Sequence, residues 1–269
     1  MIFRVLDIET VADESCWTRG EPNYKLVPGP GGVPALRELD VVPPPQACRV
    51  VALSCVDVGF DVGRDPRYFL DSCWTDCRWG PPLDHGPEAT LLASFAHAME
   101  VAADCHLVTW NGRGFDLPVL AMRSLGRGIA APWYYKNRDV RYRYSTEGHL
   151  DLMDFFADYG GSRCMKLGDV ARLCGLPGKT GTSGGDVAGL YAEAIAFPEQ
   201  DSKIRERVAR YCLQDTLQTA LVFLRSRHLI GKLTAETHDA AIETFRLSPE
   251  VAAALDLDWD RLKLARPLP

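Results

Sequence analysis

The chain has 269 residues, of which 46% are hydrophobic and 25% charged, and its formal net charge is −6 at pH 7. These values are ordinary for a soluble globular protein and leave ample sequence for a buried core. They exclude a protein that coats nucleic acid through bulk positive charge, so any basic binding surface must be local.

The nine cysteines are an odd number without regular spacing. A disulfide framework is therefore not expected, and a reducing compartment is favoured. Arg4, Asp7 and Glu9 interrupt the N-terminal segment, where a signal peptide needs an unbroken apolar run. No later apolar run approaches the roughly eighteen residues of a membrane span. The sequence predicts a cytoplasmic protein that does not associate with a membrane.

The first predicted element is a strand at residues 3–10, an apolar run that contains two acids, Asp7 and Glu9. Residues i and i+2 of a strand face the same side, with a rise of about 3.3 Å per residue, so the two carboxylates point together. Carboxylates held in this way repel each other unless a cation lies between them. Two acids at a strand end more often mark a solvated loop, so the interpretation depends on partners later in the chain.

Prolines and glycines are concentrated in residues 15–46, and this predicts a long insert without regular structure. The segments 49–59 and 68–70 are rich in β-branched and aromatic residues and predict two further strands. Together with the first strand they would form a meander.

An amphipathic helix is predicted at residues 88–103, followed by a strand and a helix at 117–125. The rest of the chain is mostly helical in pattern, with its longest helix at 202–227. This order of elements predicts an α/β fold, ribonuclease-H-like, with a mixed five-stranded sheet, helices on both faces and a helical C-terminal half. We expect one domain over residues 1–269, with a C-terminal helical extension at 228–269.

Aromatic and basic residues alternate in the stretch 133–144. Bases stack on aromatic rings with about 1–3 kcal/mol per base, so this stretch is a candidate for part of a single-strand path. The other interpretation is a strand or hairpin whose tyrosines pack and whose arginines are solvated. The sequence supports these two interpretations equally.

Two later segments contain residues that could join the first two acids. Asp116 follows an apolar strand and a Gly-containing turn, just ahead of a Pro-started helix. Tyr211 and Asp215 are four residues apart in a predicted helix and therefore share one of its faces. Each residue alone more often has a structural role, such as a charge at a helix N-terminus. Three matches of residue type, local structure and chain order favour a shared site.

The three segments together resemble the exonuclease motifs of the DEDD superfamily of 3′-5′ exonucleases, tyrosine subclass. The histidine subclass requires His five residues before the last Asp, and this chain has Arg210 there. The matching residues are Asp7 and Glu9, then Asp116 in an Asn-x-x-x-Phe-Asp context, then Tyr211-x-x-x-Asp215.

Two further segments, 149–154 and 175–179, resemble predicted exonucleases related to the proofreading domain of family-B DNA polymerases. The resemblance runs from Met1 to about Arg227. It implies a metal-dependent enzyme that hydrolyses phosphodiester bonds at the 3′ end of nucleic acid, with single-stranded DNA favoured over RNA, and releases nucleoside 5′-monophosphates. Two divalent ions about 3.5 to 4 Å apart serve such reactions, and oxygen-only ligands suit Mg²⁺ or Mn²⁺.

The resemblance also implies a role for each site residue. Asp7 bridges both ions, and Asp116 acts on the second of them. Glu9 and Asp215 help to hold the ion that binds the nucleophilic water. Tyr211 orients this water, because a phenol with a pKa near 10 is a poor base.

Candidate contacts to the terminal nucleotide lie beside the acids and in a Gly-rich loop. For the phenylalanine among them, core packing is an equal interpretation, and for the lysine the ordinary interpretation is a solvated loop residue. Asp151 and Asp154 lie at a predicted helix start, where capping is favoured. The candidate contacts are Thr10, Asn111, Phe115 and Lys179.

Two alternative functions of other classes remain open. One is a structure-specific, metal-dependent endonuclease on the same fold, which the Tyr211 pattern disfavours. The other is a non-catalytic nucleic-acid-binding module, which the presence of every acid of the three motifs disfavours.

Overall fold

The computed structural model describes residues 1–18, 20, 24–28, 34–38, 42–63, 66–102, 104–145, 147–178 and 184–265. Its strands are β1 (Ile2–Ala12), β2 (Tyr24–Pro28), β3 (Pro34–Glu38), β4 (Cys48–Asp61), β5 (Arg67–Cys77), β6 (Cys105–Thr109) and β7 (His149–Asp151). Its helices are α1 (Gly86–Val101), α2 (Asp116–Arg127), α3 (Pro132–Tyr135), α4 (Arg138–Arg141), α5 (Leu152–Phe156), α6 (Leu167–Leu173), α7 (Gly184–Ala196), α8 (Asp201–Leu229), α9 (Ala235–Arg246), α10 (Pro249–Ala254) and α11 (Trp259–Leu262).

A five-stranded sheet forms the centre of the fold, with the strand order β5-β4-β1-β6-β7. The strands β1, β4 and β5 pair antiparallel and form the predicted meander. The strand β6 is parallel to β1 on one side and to β7 on the other. The sheet is therefore mixed, and its order and directions are those of a ribonuclease-H-like fold, so the predicted fold class is confirmed.

Alternate residues of β1 contact helices on opposite faces of the sheet. Phe3 and Val5 belong to a core cluster that includes residues of α8 and α9, whereas Leu6 and Ile8 pack with residues of α1 and α2. Successive side chains of a strand point to opposite faces. Helices therefore cover both faces, as predicted, and the odd-numbered positions of β1 face α8.

Buried charges join the end of β1 to α1 and α2. Arg123 donates from Nε to Glu88 Oε1 at 2.7 Å and from Nη2 to Asp13 Oδ2 at 2.7 Å. Arg127 donates to Glu88 Oε2 at 2.9 Å. Burial opposes the ionisation of Asp13, but hydrogen bonds from Ser15 and Arg123 outweigh it and lower the Asp13 pKa to about 2. The Asp13 carboxylate is therefore charged and depends on the arginines.

The insert at residues 15–46 contains more regular structure than the sequence predicts. The strands β2 and β3 pair antiparallel within it, with Tyr24 opposite Glu38. Pro28 and Pro34 lie at the ends of these strands, where a missing N–H group costs least. The prediction of an irregular loop was therefore wrong in this part, because proline at a strand end does not interrupt pairing.

The stretch 133–144 forms α3 and α4, so the strand or hairpin interpretation is wrong. Pro132 begins α3, a position where its missing N–H group is not needed. Asn137 caps α4 by accepting hydrogen bonds from the N–H groups of Asp139 and Val140. These local signals outweigh the alternation of aromatic and basic residues.

The C-terminal helices pack on the sheet and on α8. The N–H group of Leu70, on β5, donates to Thr244 Oγ1 at 2.8 Å, and Ile242 and Phe245 of α9 are buried in the α8 core cluster. All nine cysteines are free thiols. Among the residues described, no helix combines the length and the apolar character needed to cross a membrane. One domain over residues 1–269 stays a prediction.

Candidate active site

Four of the five predicted site residues meet between β1 and α8. The odd-numbered face of β1 presents Asp7 and Glu9 to α8, where Tyr211 and Asp215 lie one helical turn apart. Glu9, Tyr211 and Asp215 are each less than 10% exposed, at 7%, 5% and 6%. The Tyr211 hydroxyl donates a hydrogen bond to Asp215. The strand and helix periodicities therefore bring together residues that are about 200 positions apart in the chain.

The pKa of Tyr211 reflects its burial and the carboxylates that lie near it. Burial raises the pKa of Tyr211 far above its ordinary value, and the carboxylates of Asp215, Glu9 and Asp7 raise it further. A phenol in this environment stays protonated at neutral pH. It can donate a hydrogen bond, but it cannot serve as a base.

Asp116, the first residue of α2, approaches β1 from the end of the neighbouring strand β6. The pairing of β1 with β6 runs from Ile2 to Val5, and β6 ends at Thr109. The Ile8 N–H group lies beyond this stretch and donates to Asp116 Oδ1 at 3.2 Å. The Asp116 carboxyl group therefore lies beside the backbone of β1 between the two acids of that strand.

The Asp116 side chain is 3% exposed. Burial raises its pKa to about 7, although hydrogen bonds from backbone N–H groups oppose this shift. A buried carboxyl group of this kind is ionised more readily when a cation lies beside it. The position and the chemistry of Asp116 therefore fit a ligand of a divalent cation.

The turn that leads to Asp116 is organised by Asp151. The Asp151 carboxylate accepts hydrogen bonds from the N–H groups of Asn111 and Arg113, at 3.0 and 2.9 Å. It also accepts from the Met153 N–H group at 3.0 Å and so caps α5, which confirms the predicted capping. Asn111 has a φ of 64°, in the left-handed region that Asn tolerates better than most residues. The link to the Asp116 turn was missed, because nothing in the sequence pairs Asp151 with Asn111.

The arrangement offers ligands for a metal ion. Carboxylate oxygens of Asp7 and Glu9 and the sulfur of Cys212 all lie within 4.8 Å of one another. Burial raises the pKa of the Cys212 thiol well above its ordinary value, and the nearby Asp7 carboxylate adds to the shift. The thiol is therefore protonated, and oxygen ligands remain, which suits a hard cation such as Mg²⁺ or Mn²⁺. The sequence interpretation missed Cys212, although it directly follows Tyr211.

A cavity of about 990 Å³ lies beside the acids and is large enough for a nucleotide. Thr10 and Phe115 line it together with Glu9. Phe115 also packs against the core between the sheet and α1 and α2, as the core-packing interpretation predicts, and its contact with a substrate stays a prediction. Part of the cavity wall was not predicted from the sequence. It comes from the two ends of the insert and the residue before it: Glu14, Trp17, Thr18, Val42 and Pro43.

The other two candidate contacts lie elsewhere. Asn111 lines a second cavity, of about 470 Å³, together with Arg113 and Gly114. Lys179 lies outside the described residues. The structure thus brings together all five proposed catalytic residues, and it places two of the four candidate substrate contacts beside them.

The comparison with family models finds a match over residues 43–253. The matching model is that of a predicted 3′-5′ exonuclease related to the exonuclease domain of PolB. The chain therefore belongs to this family, and the resemblance seen in the sequence is confirmed. The matched range includes Asp116, Tyr211 and Asp215 and begins after the first motif.

A search of curated proteins finds no match. Among solved structures, the chain is similar to the family B DNA polymerase from the hyperthermophilic archaeon Pyrobaculum calidifontis, with 16% sequence identity and a TM-score of 0.48. The similarity covers 91% of this chain and 29% of that polymerase chain. The chain thus corresponds to less than a third of the length of that polymerase.

Proposed function

We propose that the protein is a metal-dependent 3′-5′ exonuclease of the DEDD tyrosine subclass that acts on single-stranded DNA. One observation carries the proposal: carboxylates from β1, from the start of α2 and from α8 converge beside one phenol. The family supports the reaction class, since its members are predicted 3′-5′ exonucleases. The products would be nucleoside 5′-monophosphates.

The proposed metal ligands are Asp7, Glu9, Asp116 and Asp215. When bound, two Mg²⁺ or Mn²⁺ ions supply a water of lowered pKa and neutralise charge on the leaving oxygen. The protein contributes the position of each carboxylate. Asp7 and Glu9 are fixed by the pleat of β1, and Asp116 is fixed by its hydrogen bond from Ile8. Such fixed positions reduce the reorganisation that the reaction requires.

The 990 Å³ cavity is the proposed site of the 3′-terminal nucleotide. The Thr10 hydroxyl group would contact the nucleotide, and the half-buried Phe115 ring would pack against its base. Because these residues directly neighbour Glu9 and Asp116, a nucleotide in the cavity has its phosphodiester bond beside the acids. Lys179 remains a candidate for a phosphate contact.

The Tyr211 hydroxyl group orients the attacking water in this mechanism. Tyr211→Phe is expected to lower turnover by about a hundredfold, the usual effect of removing one fixed hydrogen-bond donor from an active site. Metal affinity should change less than about threefold, because the carboxylates stay in place. Turnover on single-stranded DNA and Mn²⁺ binding by calorimetry measure the two effects.

The control for this substitution is Tyr68→Phe, which removes the hydroxyl group of a buried tyrosine on β5 and should leave turnover unchanged. Wild-type turnover in Tyr211→Phe would remove Tyr211 from the mechanism. A large loss of Mn²⁺ affinity would instead assign it a structural role at the metal site.

Substrate and direction are tested with matched DNA and RNA oligonucleotides labelled at either end. We expect 5′-labelled DNA to shorten stepwise and 3′-labelled DNA to release a labelled mononucleotide first, with Mg²⁺ or Mn²⁺ and not with EDTA. Circular single-stranded DNA should stay intact. Cleavage of the circle would establish an endonuclease. Binding without cleavage under any metal condition would establish a non-catalytic module.

A further inference from the structure

Half-exposed tyrosines and arginines cover α3, α4 and the segment after them. Tyr135, Tyr142 and Tyr144 are 49%, 48% and 58% exposed. Tyrosine rings usually bury more of their area, so a group of exposed rings marks a surface that contacts something else. We call this group the tyrosine–arginine surface: Tyr134, Tyr135, Arg138, Arg141, Tyr142 and Tyr144.

The backbone beneath the tyrosine–arginine surface is firmly anchored. Trp133 packs edge-on against Phe95 of α1, with ring centroids 5.1 Å apart, and Val140 is 1% exposed. The Arg113 guanidinium donates to the Val140 carbonyl at 3.1 Å and to the His149 carbonyl at 2.9 Å. The exposed rings therefore stand on a rigid base, which lowers the entropy cost of binding.

Two arginine guanidinium groups lie over tyrosine rings of this surface. The Arg138 guanidinium lies 5.8 Å from the Tyr142 ring centroid, and that of Arg141 lies 5.4 Å from the Tyr135 ring centroid. Tyr142 and Tyr144 meet edge to face at 5.7 Å. Within the described ranges, no carboxylate forms an ion pair with Arg138 or Arg141. Their charges are available to an anionic ligand.

The chain adopts an unfavourable conformation to support this surface. Asp158 and Tyr159 both have positive φ, 49° and 52°, although neither is glycine. Non-glycine residues rarely adopt this conformation consecutively, and strain of this kind clusters at functional sites. It places the Tyr159 ring 5.2 Å from that of Tyr144.

The surface adjoins the turn that leads to Asp116. The 470 Å³ cavity is lined by Asn111 and Gly114 together with Tyr134 and Arg141, and Asp151 and Asp154 also line it. The first two belong to the turn that leads to Asp116. The cavity therefore links that turn to the tyrosine–arginine surface.

We propose that the tyrosine–arginine surface binds the single-stranded nucleic acid that precedes the 3′-terminal nucleotide. Bases stack on the exposed tyrosine rings, and phosphates contact Arg138 and Arg141. The stretch 133–144 has four basic residues and one acid, in a chain with a net charge of −6, so its local charge suits a polyanion. Unpaired bases are required, because paired bases cannot reach the rings. This proposal rests on the proposed exonuclease function.

Binding is tested with 5′-fluorescein oligo(dT) of twelve and of three nucleotides, by fluorescence anisotropy. All variants are made in an Asp7→Asn background, so that the probe is not hydrolysed. Tyr142→Ala with Tyr144→Ala should weaken the binding of the twelve-nucleotide probe at least about tenfold, the effect of losing one stacked base or more. The three-nucleotide probe should bind unchanged. Phe197→Ala, which removes another half-exposed ring, is the matched control.

The arginines are tested by the salt dependence of binding. The logarithm of the affinity falls with the logarithm of salt concentration by about 0.7 for each phosphate contact on a single strand. Arg138→Ala with Arg141→Ala should therefore reduce this slope by about 1.4 for the twelve-nucleotide probe. Arg67→Ala with Arg246→Ala removes two exposed arginines elsewhere and should leave the slope unchanged.

Three results would overturn the inference. The first is an unchanged affinity of the twelve-nucleotide probe in the tyrosine variant, and the second is an equal loss of affinity for both probe lengths. The third is displacement of the probe by poly-glutamate as efficiently as by unlabelled oligo(dT). The last would indicate an acidic protein partner. Failure of the exonuclease proposal would give a different result from failure of this inference. Wild-type protein would then bind the probe through this surface without degrading it in Mg²⁺ or Mn²⁺.

Discussion

Asp7→Asn is expected to lower turnover on single-stranded DNA by about a thousandfold. Asp7 is one of the proposed metal ligands, and bound metal ions would contribute several kcal/mol to such a reaction. A loss of about 4 kcal/mol corresponds to three factors of ten in rate. The measurement is the rate of shortening of 5′-labelled DNA at saturating Mg²⁺ or Mn²⁺.

The fold should survive this substitution. Asn has the shape of Asp, and it removes one of the charges that repel each other when no cation is bound. The melting temperature in EDTA should therefore stay the same or rise, a pattern common for substitutions at active sites. The matched control is Asp71→Asn, an exposed position on β5 that should keep full activity. Activity above a tenth of wild type in Asp7→Asn would contradict the proposed site.

Arg123→Met is expected to lower the free energy of unfolding by about 3–5 kcal/mol. Arg123 is the shared partner of Asp13 and Glu88, and the three side chains are 4%, 2% and 1% exposed. Removing the guanidinium leaves two buried carboxylates with fewer partners, and this costs much more than the lost contact itself. Urea unfolding followed by circular dichroism measures the change.

The control for this prediction is Arg172→Met. Arg172 pairs with Asp169 on the surface, where both side chains are more than half exposed, and such pairs contribute about 0–1 kcal/mol. An Arg123→Met protein as stable as Arg172→Met would show that the network does not support the fold.

The convergence of the site on β1 and α8 could be predicted from the sequence because it depends on local periodicity. Asp7 and Glu9 share a face of a strand, and Tyr211 and Asp215 share a face of a helix, wherever the two elements lie. The mixed sheet and the helices on both faces followed from the order of the elements. Asp116 was found through the family motif, since its position depends on where β6 stops pairing with β1.

Features that depend on contacts between distant segments could not be predicted. The contribution of Trp17 and Pro43 to the cavity wall requires the two ends of the insert to meet beside Thr10. The hydrogen bonds from Asn111 and Arg113 to Asp151 join two strand ends. The aromatic and basic stretch forms two short helices because of single residues at the helix starts. The alternation of aromatic and basic residues along the stretch does not reveal these residues.

The helix α8 has a consequence for how the protein would adapt to a bound nucleotide. It runs for 29 residues, roughly 44 Å, and its second half is buried in the main core while its first half holds Tyr211 and Asp215. A continuous rod fixed in this way does not bend independently at one end. We therefore expect adaptation to different bases to come from the turn at residues 111–115 and from the ends of the insert, while Tyr211 keeps its position.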